Sequence, residues 1–402
     1  MVGAVGMRSA LVWLQLDPKK IHTSRISELQ IFSSQQKSYF STSVDPKTGI
    51  LLWEIPDLEP GTHYKYKVTE YLEARGEFST KPLWKYRISD PPDFSFVIAS
   101  CNYVNEEPYD RKGKPWGEGY EIFQAIEKET ASFFLWMGDN VYLREADWDS
   151  PSGILHRYSH TRALPESKKV FASMPHFAIW DDHDYGPNDS SLSYSLADTT
   201  EKVFKDFWPD FNYPGKGIYR SFTWGDAEFF LLDNRRFRSA NKNFVSGKRT
   251  ILGERQLQWF FNALADSTSR FKFIVMGGQF LNSAPVYENY VNYAEERMLI
   301  LDSIRKMKIE NVFFLTGDRH HSEVSAYSEN KNFTIYEFTV SPLTAGIPSG
   351  PILEKNQYRI PGSLLQERLY GVVTIWTSDG IRKVRIDFKN LRGEVLYSYE
   401  VN

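Results

Sequence analysis

The stretch Phe-Ala-Ile-Trp-Asp-Asp-His-Asp-Tyr-Gly-Pro-Asn, residues 177–188, decides the predicted fold. Its apolar part, residues 177–180, predicts a buried strand that ends abruptly in four ionisable residues, 181–184, before a Gly-Pro turn. Carboxylates and an imidazole at the carboxyl end of a strand are typical of the functional edge of an α/β sheet. Three acidic side chains this close repel one another unless a cation lies between them. A solvated acidic turn is the alternative interpretation of this segment taken alone.

The same pattern, a buried strand that ends in polar residues, recurs along the chain. The strand ends carry Cys101, Asp139 with Tyr142, Asp182 with His183, Asp233 with Arg235, and Asp318 with His320. Because strand ends at one edge of a sheet converge in space, we expect these groups to line one cleft. Oxygen donors with a histidine and a thiol suit iron, manganese, calcium or zinc. Two such cations sharing a carboxylate form the clamp that serves phosphoryl transfer.

The composition is typical of an ordinary soluble globular protein, and the length predicts two or three domains. The chain has 402 residues, of which 41% are hydrophobic and 25% charged, and its net charge of −3 predicts no nucleic-acid-binding surface. The single cysteine, Cys101, excludes a disulfide framework within the chain. We find neither an apolar run long enough for a transmembrane helix nor a recognisable signal peptide.

The first 90 residues predict short strands separated by turns. Residues 10–16 and 50–55 are β-type runs, and a Pro-Gly turn before Tyr64 matches the tyrosine corner of β-sandwiches. This corner resembles the fibronectin type III family. The Asp-Pro-Pro cluster at residues 90–92 marks the expected linker.

After the linker, strands alternate with helices, which predicts an α/β layered core. The predicted strands are residues 94–101, 131–139, 177–180, 229–233, 271–276, 312–318, 370–376 and 384–388. The predicted helices are residues 120–128, 156–173, 197–208, 253–264 and 299–308.

Six ordered blocks then carry a resemblance to a known family. They are Ala99-Ser100-Cys101, Gly138-Asp139-Asn140-Val141-Tyr142, Trp180-Asp181-Asp182-His183-Asp184, Asp233-Asn234-Arg235-Arg236-Phe237-Arg238, Leu252-Gly253-Glu254-Arg255-Gln256 and Gly317-Asp318-Arg319-His320. In this order they resemble the PhoD-like alkaline phosphatases of the metallophosphoesterase superfamily. The resemblance implies a four-layer αββα metallophosphoesterase core at residues 92–402, after a fibronectin III-like β-sandwich at residues 1–91.

The resemblance also implies a set of metal ligands. Cys101, Asp139 and Tyr142 would hold a ferric iron ion, and Asp318 and His320 would complete the metal shell. A thiolate and a phenolate are strong donors for ferric iron, so the chemistry of these side chains agrees.

The second implied metal is calcium, with zinc or manganese as other candidates. Asp139 would bridge to this site, which also draws on Asp182 and Asn188. The chain departs from the family pattern here, because Asp189 stands where a second asparagine is usual and Asn140 where tyrosine is common. We therefore expect the identity of the second metal to be less fixed than that of iron.

Three residues are implied in catalysis: His183, Asp182 and Arg235. His183 matches the histidine beside the scissile phosphate in the superfamily, although Asp184 follows it where the family usually has glutamate. We expect a metal-bound hydroxide to attack phosphorus while His183 assists the leaving oxygen. Either Arg235 or Arg238 would clamp the phosphate, and an ion pair is the alternative interpretation of each arginine.

The predicted function is hydrolysis of phosphate mono- and/or diesters, with a small phosphate ester as substrate. The alternatives are a non-catalytic surface protein that binds a ligand and holds structural metals, and a hydrolase of another ester. The resemblance suggests a periplasmic or secreted location, with the leader absent from this sequence, and a role in phosphate acquisition. The sequence does not indicate an oligomeric state.

Overall fold

The N-terminal part of the chain forms two antiparallel sheets. The computed structural model describes residues 1–17, 26–34, 36–71, 73–87, 90–242, 249–330, 333–350 and 352–401. The N-terminal strands are β1 (Val2–Val5), β2 (Ala10–Gln15), β3 (Ile26–Phe32), β4 (Lys37–Ser43), β5 (Ile50–Ile55), β6 (His63–Val68) and β7 (Arg75–Ser79). One sheet has the order β1-β2-β5 and the other has the order β4-β3-β6-β7.

Alternation of apolar and polar residues explains why the two sheets share one core. In β6, Tyr64, Tyr66 and Val68 are buried, whereas the residues between them are exposed. This period of two gives a strand one buried face and one solvated face. The buried side chains join Val12 and Trp53 of the opposite sheet in a single apolar cluster.

The predicted tyrosine corner is present in this region. The hydroxyl of Tyr64 accepts a hydrogen bond from the backbone N–H of Glu59, with the two heavy atoms 2.9 Å apart. A tyrosine at a sandwich corner makes this contact with the backbone a few residues upstream. The bond fixes the turn through which the chain enters β6.

Two six-stranded mixed sheets form the rest of the molecule. Their strands are β8 (Phe94–Ala99), β9 (Phe134–Met137), β10 (His176–Ile179), β11 (Arg220–Trp224), β12 (Ala227–Leu231), β13 (Phe271–Val275), β14 (Val312–Thr316), β15 (Glu323–Asn330), β16 (Phe333–Thr339), β17 (Leu369–Ser378), β18 (Ile381–Asn390) and β19 (Val395–Val401). The first sheet has the order β10-β9-β8-β17-β18-β19 and the second has the order β11-β12-β13-β14-β16-β15. Strands β8, β9 and β10 are parallel to one another, as are β12, β13, β14 and β16.

Aromatic side chains fill the space between these two sheets. Phe96 of the first sheet contacts Phe229 and Phe273 of the second edge to face, with ring centroids 5.0 and 5.4 Å apart. The next residues along β12 and β13, Phe230 and Ile274, point to the opposite face of the second sheet. There they join a separate apolar cluster with helical residues. Strands β12 and β13 therefore bury both faces, as parallel strands between two layers do.

Helices lie against the outer faces of both sheets. They are α1 (Ile122–Ile126), α2 (Pro151–Arg162), α3 (Lys168–Ser173), α4 (Asp182–Tyr185), α5 (Ala197–Phe207), α6 (Gly253–Asp266) and α7 (Ala294–Lys306). Ser150 caps α2 by accepting a hydrogen bond from the N–H of Gly153, and Pro151 occupies its first turn. Within the described ranges, no helix is both long and apolar enough to cross a membrane.

The structure confirms the predicted mixed α/β fold and refines its elements. The single helix expected at residues 156–173 is two helices, α2 and α3, because Pro165 interrupts the pattern between them. The acidic segment after β10 is a helical turn, α4, which Asp181 caps. Strands β15 and β16 were not predicted, and β16 lies parallel to β14 in the second sheet.

Candidate metal centre

Parallel strands from both sheets end at the same edge of the molecule. A close approach between Ser100, which follows β8, and Gly317, which follows β14, brings the two sheets together there. A Cβ atom at position 317 would overlap the Ser100 side chain. Only glycine therefore allows the two strand ends to lie side by side, and the polar residues next to them share one space.

The backbone turns sharply at this edge. Cys101, Asp139, Asp189, Asp318 and His320 all have positive φ angles, between 52° and 66°. Residues other than glycine rarely adopt this left-handed conformation, which costs on the order of 1–3 kcal/mol each. Such strain typically accumulates at functional sites, where the surrounding structure holds it in place.

Among the residues that the structure describes, four groups of acidic, histidine and cysteine side chains have ligand atoms within 4.8 Å of one another. The groups are Cys101 with Asp139 and His320; Asp139 with Asp182 and His183; Asp181 with Asp182 and Asp318; and Asp182 with Asp189 and Glu288. Asp139 belongs to two of the groups and Asp182 to three. Shared carboxylates of this kind can bridge neighbouring cations.

The first of these groups also lies against Tyr142. The Sγ atom of Cys101 is 3.6 Å from Oδ2 of Asp139. The hydroxyl of Tyr142 is 3.1 Å from Nε2 of His320. The ring of Tyr142 packs beside His183, with centroids 4.4 Å apart. The structure thus brings the thiol, the phenol and both histidines to one place.

Asp139 and Asp318 lie close to other buried carboxylates, whose charges repel theirs. Burial raises the pKa of Asp139 well above its ordinary range, and the charges of Asp182 and Asp181 raise it further. Burial and the same two neighbours also raise the pKa of Asp318. Oδ2 of Asp181 is buried and has no hydrogen-bond partner among the described residues. Bound cations would relieve this repulsion and use the open oxygen, so the donor set fits metal ions.

The Cys101 thiol and the Tyr142 phenol also fit a site for metal ions. Burial raises the pKa of Cys101, and the charge of Asp139 adds to this effect. The pKa of Tyr142 is raised for the same two reasons. A metal ion would reverse the local electrostatics and favour the deprotonated donors.

Arg235 occupies a buried ion-pair network behind the centre. Its guanidinium pairs with Asp181 and Glu288 and lies 3.5 Å from Oδ1 of Asp182. Arg238 pairs with the other oxygen of Glu288 at 2.8 Å. The phosphate clamp expected of Arg235 stays a prediction, and in the structure its guanidinium faces the buried carboxylates of Asp181 and Glu288.

Asn188, a predicted calcium ligand, lies in an exposed turn. Its side chain forms no hydrogen bond with the described residues, whereas the N–H of the next residue, Asp189, donates to Oδ2 of Asp182 at 2.8 Å. The sequence analysis noted Asp189 only as a departure from the family pattern. It missed Glu288 entirely, because this residue lies in a loop after β13 without a strand-end pattern.

The structure brings together the other predicted ligands, Cys101, Asp139, Tyr142, Asp182, Asp318 and His320, and places His183 with them. A family model described as PhoD-like phosphatase matches residues 96–368, more than half of the chain. The chain belongs to the PhoD-like phosphatase family. This confirms the resemblance drawn from the six sequence blocks.

One curated protein and two solved structures are similar to this chain. Alkaline phosphatase D of Bacillus subtilis (strain 168) is 24% identical over 324 residues, covering 68% of this chain and 53% of that protein. The chain thus spans about half the length of this curated relative. A solved structure of PhoD superposes with a TM-score of 0.80 at 20% identity, covering 100% of this chain and 88% of that one.

A more distant solved structure shares the same fold. The purple acid phosphatase PPD1 from yellow lupin (Lupinus luteus) seeds has a TM-score of 0.67 at 13% identity. The match covers 99% of this chain and 73% of the lupin chain. At these identities, both structural matches show the fold alone.

Proposed function

We propose that this PhoD-like protein is a metal-dependent phosphoesterase that hydrolyses phosphate mono- and/or diesters. The observation that carries the proposal is the sharing of Asp139 and Asp182 among adjoining ligand groups at one edge of two sheets. Such an arrangement suits two cations that neutralise the oxygens of a phosphoryl group. The family assignment and the alkaline phosphatase relative support the same chemistry.

The architecture is assigned in the same proposal. Residues 92–402 form a four-layer αββα metallophosphoesterase core, supported by the two facing sheets and their outer helices. Residues 1–91 form a fibronectin III-like β-sandwich, supported by the shared apolar cluster and the tyrosine corner. The strained strand ends of the core supply the site, and the sandwich contacts the core near Pro175, which precedes β10.

Iron is assigned to the site around the thiol. Cys101, Asp139 and Tyr142 would hold it, with His320 as a further donor supported by its 3.1 Å contact with Tyr142. A thiolate, a phenolate and an imidazole favour a transition metal over calcium.

A second cation is assigned to the carboxylate-rich side. Asp139 would bridge to it, Asp182 and Asp318 would bind it, and Asn188 is retained as a ligand from the family resemblance. Asp189 adjoins the same group. Carboxylate and amide oxygens suit calcium, while zinc and manganese are the other metals for this position.

When bound, the metals would supply Lewis-acid stabilisation of phosphate oxygens and activation of water. His183 would then donate a proton from its imidazole to the leaving oxygen. Burial lowers the pKa of His183, and the carboxylate of Asp182 opposes that effect. Asp182 therefore has two tasks in this mechanism, since it would bind metal and its charge favours the protonated form of His183.

Arg235 is assigned a positioning role in this mechanism. It fixes Asp181 and Glu288 through buried ion pairs, which keeps Asp182 beside them in one orientation. A periplasmic or secreted location, with phosphate acquisition as the role, belongs to the proposal on the basis of family resemblance.

Metal analysis combined with hydrolysis tests this function. Metal content and the visible spectrum are measured on protein purified without added metals. Hydrolysis of p-nitrophenyl phosphate and bis(p-nitrophenyl) phosphate is then followed before and after chelation. We expect bound iron, turnover of at least one substrate, and loss of that turnover on chelation.

Two outcomes would contradict the proposal in different ways. Protein without bound metal that stays inactive after metals are restored would favour the non-catalytic ligand-binding protein. Metal-dependent turnover of carboxylic esters without turnover of phosphate esters would identify a hydrolase of another ester.

A further inference from the structure

The segment 110–116, which we call the basic loop, lies beside the metal centre and is fixed at both ends. At its start, Asp110 accepts hydrogen bonds from Tyr103 at 3.0 Å and from the N–H of Glu106 at 2.7 Å. It also forms an ion pair with Arg144 at 3.0 Å. These buried contacts hold the first residue of the loop in place.

The last residue of the basic loop packs directly against the candidate site. The ring of Trp116 lies 5.8 Å from the ring of His320. It also covers Gly346, where a Cβ atom would come within 3.0 Å of the indole. The carbonyl of Gly346 accepts a hydrogen bond from Nδ1 of His320. Trp116 therefore forms part of the wall around this histidine.

Between these two ends the loop exposes three cations. Arg111, Lys112 and Lys114 are all exposed, and their side chains form no ion pair or hydrogen bond with the described residues. Exposed cations are usually only solvated. A functional role therefore requires that one of them lie close to the metal centre. The guanidinium carbon of Arg111 lies 4.7 Å from the centroid of Trp116, the ring that also contacts His320.

The stack on Trp116 keeps the guanidinium of Arg111 beside the metal centre. Stacking on an indole orients a guanidinium while leaving its edge donors free for an anion.

We propose that Arg111, held over Trp116, binds a second anionic group of the substrate, so that the preferred substrates are phosphate esters carrying a further carboxylate or phosphate. The inference rests on the proposed phosphoesterase function and adds the substrate class. The scissile phosphate binds at the metal centre, and the second anion lies against the basic loop. Lys112 and Lys114 add to the local positive potential, which attracts anionic substrates.

Two substrates that differ only in charge test this proposal. Carboxymethyl p-nitrophenyl phosphate carries a carboxylate in addition to its anionic phosphate. Carbamoylmethyl p-nitrophenyl phosphate has a neutral amide of the same shape in place of that carboxylate. We expect the metal-loaded protein to prefer the carboxymethyl ester by about fivefold in kcat/KM, the size of one partly exposed charge pair. Raising the ionic strength should reduce the preference because salt screens exposed charges.

Substitutions then locate the source of the preference. R111Q should bring the ratio of the two kcat/KM values close to one, and R111E should favour the neutral ester. R270Q is the matched control, since Arg270 is also exposed beside an aromatic ring, 5.8 Å from the centroid of Phe271. It precedes β13, at the opposite end of the strand from the metal centre, and should keep the wild-type ratio.

Each outcome bears on a separate claim. Hydrolysis of both esters without discrimination, or an unchanged ratio in R111Q, would overturn the substrate class and leave the phosphoesterase intact. Failure of the metal-loaded protein to hydrolyse either diester, with p-nitrophenyl phosphate still turned over, would overturn this inference alone. Failure on all three esters would overturn the proposed function as well.

Discussion

The hydroxyl of Tyr142 lies 3.1 Å from Nε2 of His320, although the two residues are 178 positions apart in the chain. Tyr142 follows strand β9 of the first six-stranded sheet, and His320 follows strand β14 of the second. The contact therefore joins the polar edges of the two sheets. The candidate metal centre therefore depends on the packing of the two sheets against each other.

Replacing Tyr142 by phenylalanine tests its assignment as an iron ligand. Because a ferric phenolate absorbs visible light, Y142F should lose the broad visible band of the iron-containing protein. The measurement is an absorption spectrum with metal analysis of the same sample. Y103F is the matched control, because Tyr103 packs 5.0 Å from Tyr142 but donates its hydroxyl to Asp110. An unchanged band in Y142F would remove Tyr142 from the proposed ligands.

Asp182 should be the most sensitive carboxylate, since it belongs to three of the four ligand groups. We expect D182N to lose metal and to lower kcat by about 100-fold or more, as loss of one preorganised charge does. Steady-state kinetics with metal analysis measures both effects. D379N is the control, because Asp379 is an exposed turn residue with φ of 52°, which asparagine also adopts. Near-normal kcat in D182N would contradict the proposed role.

The metal-free protein should lose stability as the pH rises through a mildly acidic range. Burial raises the pKa of Asp181 from 3.8 to about 6, although Arg235 opposes the shift. The folded state therefore binds this proton more tightly than the unfolded state, and its stability falls between these two pH values. In the chelated protein, the Tm of D181N relative to wild type should rise across this range.

Bound metal should abolish that trend, because a cation stabilises the ionised carboxylate. Thermal unfolding of chelated and metal-loaded samples, each over the same pH range, separates the two cases. A constant difference in Tm between D181N and wild type in the chelated protein would show that Asp181 does not titrate there.

Arg235 should matter for stability more than for substrate affinity. R235M leaves Asp181 without its buried partner and Glu288 with Arg238 alone, which we expect to lower the free energy of unfolding by about 3–5 kcal/mol. R236M should cost less, because one partner of Arg236, Asp198, is 90% exposed. Denaturant unfolding measures both values. A higher KM in R235M with unchanged stability would instead support direct phosphate binding.

Sequence patterns predicted the fold class and most of the site for a simple reason. Burial on both faces makes a parallel strand a continuous apolar run, so the strands before Asp139, Asp182 and Asp318 are visible without a structure. The residues that follow such strands are forced to one edge of the sheet. The six family blocks fall mostly at these positions, which is why the residues around the thiol were predicted together.

Residues outside strand ends could not be assigned in this way. Glu288 reaches the centre from a loop, and nothing in its neighbours along the chain marks it as a partner of Arg235 or Asp182. In the sequence, Arg235 is one charged residue among several neighbouring charged residues. Whether such an arginine faces substrate or buried carboxylates depends on which side chains pack against it.

The sequence by itself determined the order of buried strands, the chemistry released at their ends and the family, because these depend on local hydrophobic patterns and motifs. Only the tertiary structure decided that Arg235 pairs with buried carboxylates and that Tyr142 contacts His320. It also decided that Arg111 and His320 both contact the ring of Trp116. Long-range contacts arise when two sheets pack face to face, and no local periodicity records which side chains that packing brings together.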